Sequence, residues 1–265
     1  MKEQAIELLR NVPAPAEKLN ILREYLQAFV MRCLHESEAF ASLSFVGGTA
    51  LRFVYDLPRF SEDLDFSLES PKGYEPLRWL KKLKRDMTLA GFDTAISWND
   101  RKTVHTAWVK VAGLLKEAGL AAMTGQNLSI KLEIDSRPPA GAETVSTVVN
   151  RHLMFALRHH SLSSLMAGKV HALMTRKYSK GRDWYDLLWY LSQRPAMTPN
   201  TRLLQNALDQ TQGVDVFRSR DWRGLLLDKL QELDFARLVL DVEPFLERPQ
   251  DARLLTADHF QSLLV

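Results

Sequence analysis

Apolar positions recur every three or four residues through 18–36, KLNILREYLQAFVMRCLHE. There Leu22, Tyr25, Leu26, Phe29 and Val30 predict the buried stripe of a helix. The next segment, LSFVGG, reads as a short buried strand closed by a glycine turn, and TALRFVYD returns to a helical pattern with Thr49 as the N-cap candidate. From Asp63 to Leu68 the alternation is strict: Asp63, Asp65 and Ser67 share one face, Leu64, Phe66 and Leu68 the other. A helix is expected from Glu75 to Ala90, with its KKLKR run as a solvated face. Short strands are expected around DTAISW, TAWVKVAG, NLSIKLEID, TVSTVV and LMFALR. In the third of these Lys131, Glu133 and Asp135 lie opposite Ile130, Leu132 and Ile134. From Ser161 the pattern turns helical and stays so, which divides the chain into a mixed α/β part, 1–160, and a helical part, 161–265.

The 265 residues suffice for one large or two modest domains, and 46% hydrophobic with 25% charged residues is the composition of a folded globule. A net charge of +3 permits a nucleic-acid partner without arguing for one. One cysteine, Cys33, excludes an internal disulfide and a cysteine metal cluster, and it falls on the apolar stripe of the first long helix. No apolar run approaches the length of a membrane span, and the first residues carry no signal-peptide pattern, so a cytoplasmic protein without a membrane is expected.

Two features change this picture. Glycines at the end of a strand let backbone amides approach a ligand closely, and a helix starting just after them would turn its dipole toward an anion such as phosphate; Gly47 and Gly48 hold that position. Fifteen residues on, Glu62, Asp63 and Asp65 crowd three like charges into four residues, an arrangement that a cation or a solvated loop would relieve. Asp63 and Asp65, about 6.5 Å apart along one strand face, are oxygen donors suited to Mg²⁺ or Mn²⁺, which also takes the phosphate oxygens of a nucleotide. A third carboxylate on a neighbouring strand would complete a site for in-line displacement, and both Glu133 and Asp135 have the right alternation.

The helical part supplies positive charge. Lys169 falls on the apolar stripe formed by Leu162, Leu165, Met166 and Leu173, with Arg176 one heptad step further. A lysine on a buried face needs an anion, either a nucleotide triphosphate or a carboxylate of the chain itself. In KYSKGRDWYDLLW, Lys177, Lys180 and Arg182 surround Asp183 and Asp186. Asp183, beside the glycine break, is the stronger functional candidate, whereas Asp186 suits a structural tie.

The segments NILREYLQ, FVGGTALRF, PRFSEDLDFSL, KLEIDSR and KVHALMTRKYSKGRDWYDL, in that order across residues 18–192, resemble the AbiEii/AbiGii-type nucleotidyltransferase toxins of type IV toxin–antitoxin and abortive-infection systems, relatives of the mycobacterial MenT toxins. The resemblance implies a polymerase-β-like nucleotidyltransferase core with a mixed sheet, followed by a helical C-terminal domain that completes the active-site cleft. It matches the family's turn glycines to Gly47 and Gly48, its metal-binding pair to Asp63 and Asp65, and its hydroxyl before the acids to Ser61. Its third acid falls on Glu133, its catalytic lysine on Lys169, and the acid of its R-D motif on Asp183. It further implies Mg²⁺-dependent transfer of a nucleotide from an NTP to an RNA acceptor, the 3′ end of tRNA in characterised relatives, and an antitoxin encoded nearby. Two rivals keep the fold: a transferase that modifies a protein hydroxyl or a small molecule, and a binding module that has lost activity.

Overall fold

The alternation seen at 128–135 becomes β5 (Leu128–Asp135) of a seven-stranded sheet, in a computed structural model that describes residues 1–123 and 125–265. The other strands are β1 (Leu43–Val46), β2 (Leu64–Leu68), β3 (Asp93–Asn99), β4 (Val104–Ala112), β6 (Thr144–Arg151) and β7 (Leu153–His160), in the order β3-β4-β5-β2-β1-β7-β6. The sheet is mixed: β2 runs parallel to β5 and β1 parallel to β7, while β1–β2, β3–β4 and β4–β5 are antiparallel.

Period-two burial decides which face each residue takes. Leu128, Ile130, Leu132 and Ile134 of β5 are buried, as are Ala107, Val109 and Val111 across from them on β4. Their face packs under α2 (Pro15–His35) and α4 (Pro76–Leu89). The predicted stripe of α2 is buried along its length, and Cys33 lies within it, its thiol pushed up to about 12 first of all by burial. Paired at the centre of the sheet, Phe45 and Phe66 stack with ring centroids 5.5 Å apart. The sequence pattern did not show two short helices, α1 (Lys2–Glu7) and α5 (Leu114–Glu117), because six and four residues are too few to establish a period.

The helix after the glycines, α3 (Gly47–Tyr55), begins two residues earlier than the pattern predicted. Thr49 is therefore not its N-cap. It sits buried in the first turn, and its hydroxyl donates to the Asp63 carbonyl.

By contact the chain divides into two compact units. The first comprises Met1–Tyr55, Phe60–Pro138 and Val145–His159; the second comprises Asp56–Arg59, Pro139–Thr144 and His160–Val265. The second unit is built of α6 (Leu162–Thr175), α7 (Gly181–Ser192), α8 (Thr201–Gln212), α9 (Trp222–Leu230), α10 (Phe235–Val242) and α11 (Ala257–Leu264). Side-chain caps start four of them: Ser161, Asn200, Asp234 and Thr256 each accept from a backbone amide of the first turn. The short segments belonging to this unit are tied in by the Asn200 amide on the Gly141 carbonyl and by the Glu247 amide on the Pro58 carbonyl.

Candidate active site

In the first unit the sheet register does most of the positioning. Val46, the last residue of β1, pairs with Asp65 of β2, and the chain then turns at Gly47 with φ +77° directly into α3. A Cβ at position 47 would fall 2.3 Å from Asp65 Oδ2, so only glycine allows the backbone and this carboxylate to meet so closely. Gly48 is the second residue of the helix, which places both glycines at its dipole-positive end.

On the other side of β2, Asp65 is the direct cross-strand partner of Glu133, whereas Asp135 is the partner of Ser67. Of the two acids left open by the alternation, Glu133 is thus the one beside Asp65. Asp135, at the end of β5, accepts a backbone bond from Arg137. Asp63 immediately precedes β2. The loop before it is held by Gln27 of α2, whose amide donates to the carbonyls of Ser61 and Glu62 at 3.1 and 2.9 Å. Ser61 therefore stands next to the acids on a fixed backbone. Glu62 lies 3.5 Å from Arg23, which relieves part of the local repulsion.

A cation already lies among these acids. Lys131 Nζ is 2.8 Å from Glu133 Oε1. Partial burial would lower the Lys131 pKa, but Glu133, Asp63 and Asp65 together raise it above its ordinary value. Asp65 and Glu133 as cross-strand partners, with Asp63 two residues from Asp65, are hard-oxygen donors of the type that Mg²⁺ or Mn²⁺ takes. Among the described residues, no three histidine, cysteine, aspartate or glutamate side chains are gathered into a ready-made metal cage. The fit therefore rests on donor type and strand adjacency.

The second unit contains Lys169, Arg176 and Asp183. Lys169 of α6 is largely but not fully buried, its side chain 12% exposed, with Nζ 2.6 Å from Asp183 Oδ1 and 2.8 Å from Asp186 Oδ2. The anionic partner that a lysine on an apolar stripe requires is thus present in the chain itself. Arg176, half-exposed at the end of α6, pairs with the other oxygen of Asp183. Burial alone would raise the Asp183 carboxyl, but Lys169 and Arg176 hold it below its ordinary value. Asp186 is fully buried and gripped by the guanidinium fork of Arg59, with both bonds at 2.6 Å. Nothing in the sequence pattern marks Arg59. An arginine between Pro58 and Phe60 carries no periodic signal, and its partner lies 127 residues away. The glycine break before Asp183 has a packing cause. A Cβ at Gly181 would fall 2.0 Å from the Leu238 carbonyl of α10, and the Gly181 amide donates to Asp241 at 2.7 Å. Of the basic residues around this turn, Arg182 lies over the Phe245 ring and Lys180 over the Tyr178 ring.

The family described as "Nucleotidyl transferase AbiEii toxin, Type IV TA system" has a model that matches residues 29–261. Among solved structures, the chain is similar to JHP933 from Helicobacter pylori, with 20% identity, 91% of each chain covered and a TM-score of 0.49. It is also similar to a candidate nucleotidyltransferase from Helicobacter pylori, with 21% identity, 90% of this chain and 95% of that one covered and a TM-score of 0.51. At this identity the second likeness is one of fold. No curated protein matches. Among the described residues, no helix is long and apolar enough to cross a membrane.

Proposed function

Because the chain belongs to the AbiEii family of nucleotidyltransferase toxins, we propose that it transfers a nucleotide from an NTP to an RNA acceptor, in the cytoplasm and under control of an antitoxin. The observation that carries this reading is the juxtaposition of Gly47, just after β1, with Asp65 of β2 and Glu133 of β5, Asp63 lying two residues from Asp65.

Asp63, Asp65 and Glu133 would hold Mg²⁺ or Mn²⁺, which when bound neutralises phosphate oxygens and orients the reacting groups. The chain's own contributions follow from position. Amides at the start of α3, reached through Gly47 and Gly48, bind the phosphates, and Ser61 offers a hydroxyl beside them. By the family resemblance Lys169 would be the catalytic lysine, and Asp183 would keep it and Arg176 oriented. In the transfer, the acceptor hydroxyl gives up its proton to solvent as its oxygen attacks the α-phosphorus, the bond from that phosphorus to the bridging oxygen breaks, and pyrophosphate leaves with the electron pair. The 3′ end of tRNA is the acceptor that the family resemblance implies.

The test is incubation of the protein with each α-labelled NTP, Mg²⁺ and total RNA, resolved on a gel. Label entering a tRNA-sized band with the wild type and not with Asp63→Ala supports the reading. Label entering protein or a small molecule instead would move the acceptor while keeping the chemistry. No transfer under any condition would remove it.

A further inference from the structure

The carboxylates share their sheet face with an aromatic ring that no step above uses. Trp108 of β4 is the direct cross-strand partner of Lys131, and Ser97 of β3 pairs with it from the other side. The register puts Trp108 on the face of Lys131, Glu133 and Asp65, opposite the buried Ala107 and Val109. Trp108 is 40% exposed. The Lys131 ammonium lies 5.7 Å from its ring centroid and 2.8 Å from Glu133, and exposed Lys110 stands two residues along the same face. An exposed indole flanked by two lysines is the combination that binds single-stranded nucleic acid. The ring stacks a base of any identity, and the cations meet the backbone phosphates.

Strand order tells which nucleotide would lie there. The phosphate-binding turn follows β1, on one side of Asp65, while Trp108 lies on β4, on the other side and about 10 Å from β2 at ordinary strand spacing. In an in-line displacement the leaving group and the attacking oxygen lie on opposite sides of the phosphorus. With pyrophosphate departing on the β1 side, the acceptor enters from the β5–β4 side. We infer that Trp108 is the stacking platform for the unpaired terminal base of the acceptor strand and that Lys110 contacts its backbone. This rests on the transferase reading above. It adds a positioning residue for the acceptor that is separate from the carboxylates.

Binding can be measured apart from transfer. The full chain in EDTA is titrated into a 5′-fluorescein-labelled single-stranded oligoribonucleotide and followed by anisotropy, for wild type, Trp108→Phe and Trp108→Ala. Losing one base–aromatic stack should weaken Trp108→Ala about tenfold and leave Trp108→Phe within about threefold of wild type. Far-UV circular dichroism and melting of both variants should be unchanged, because the side chain is exposed. Equal affinity of Trp108→Ala and wild type overturns the inference, as does a wild type that binds no RNA. A Trp108→Ala variant that loses NTP affinity while keeping RNA affinity also overturns it, by assigning the ring to the incoming nucleotide. Tryptophan-dependent RNA binding in a protein that transfers no nucleotide would defeat the transferase reading alone.

Discussion

A methyl group placed on Gly47 would lie 2.3 Å from Asp65 Oδ2, and the backbone there already has φ +77°. These are two independent demands for glycine at one position, one steric and one conformational. Gly47→Ala should therefore displace the Asp65 carboxylate or the turn itself. The expected outcome is a stability loss of about 1–3 kcal/mol in urea denaturation, the usual cost of a non-glycine residue held in a sparsely populated region. Nucleotide transfer should fall at least about tenfold. A variant with wild-type transfer would show that the close approach of turn and carboxylate is incidental.

Register separates the two candidate third acids. Glu133 sits opposite Asp65, while Asp135 sits opposite Ser67 and accepts from the Arg137 amide. Glu133→Gln should lower transfer by at least about a hundredfold, the upper end of what loss of a supporting residue costs a metal site. Asp135→Asn should retain most activity. Mn²⁺ binding followed by electron paramagnetic resonance checks the same point without turnover: it should weaken in the glutamine variant and stay unchanged in the asparagine one.

The strands and the long helices were legible from their patterns, and burial followed the period of two most closely in β4 and β5, where Ala107, Val109, Ile130 and Leu132 are buried, while the short β1 is buried almost throughout. Family resemblance supplied residue roles that periodicity could not. What stayed hidden depended on pairings far apart in sequence. Nothing local marks Arg59 as the partner of Asp186, or Gln27 as the residue that holds the 61–62 backbone. Lys131 and Trp108 each appeared in a predicted strand, but their relation to the carboxylates exists only once β4, β5 and β2 are in register. Thr49 failed as a cap for a similar reason. Its hydroxyl bonds the Asp63 carbonyl, fourteen residues on, and the helix begins at Gly47.

Lys169 lies largely buried between Asp183 and Asp186, with Arg176 on the other oxygen of Asp183 and Arg59 on both oxygens of Asp186. Removing one cation from such a network leaves buried carboxylates short of a partner, which typically costs about 3–5 kcal/mol. Lys169→Met should therefore melt well below wild type besides losing activity. Lys169→Arg should recover much of the stability, since its charge remains. Melting curves for the two variants decide the point, and a methionine variant as stable as wild type would show that the arginines alone satisfy both aspartates.

Acid sensitivity should be traceable to Glu24. This buried carboxylate of α2 accepts from Arg52 at 2.6 Å and lies 2.9 Å from His152 and 3.4 Å from Arg151. Burial alone would raise its pKa. The hydrogen bond with His152 and the charges of Arg52 and Arg151 outweigh burial and hold it at about 2, against an ordinary value of 4.5. A carboxylate depressed by folding contributes stability that is fully present above the unfolded value and is lost as pH falls through the folded one. The window for Glu24 therefore runs from about pH 4.5 down to about pH 2, and a shift of this size corresponds to roughly 3 kcal/mol. Glu24→Gln keeps the shape but removes the negative charge beside buried Arg52. The variant should be less stable than wild type near neutral pH by roughly that amount. The difference should shrink steadily as pH drops below about 4.5, because the wild type then loses by protonation what the variant never had. Urea midpoints for both proteins at pH 7, 5, 4 and 3 test this. A gap that stays constant across the series would show that Glu24 acts by packing and not by charge.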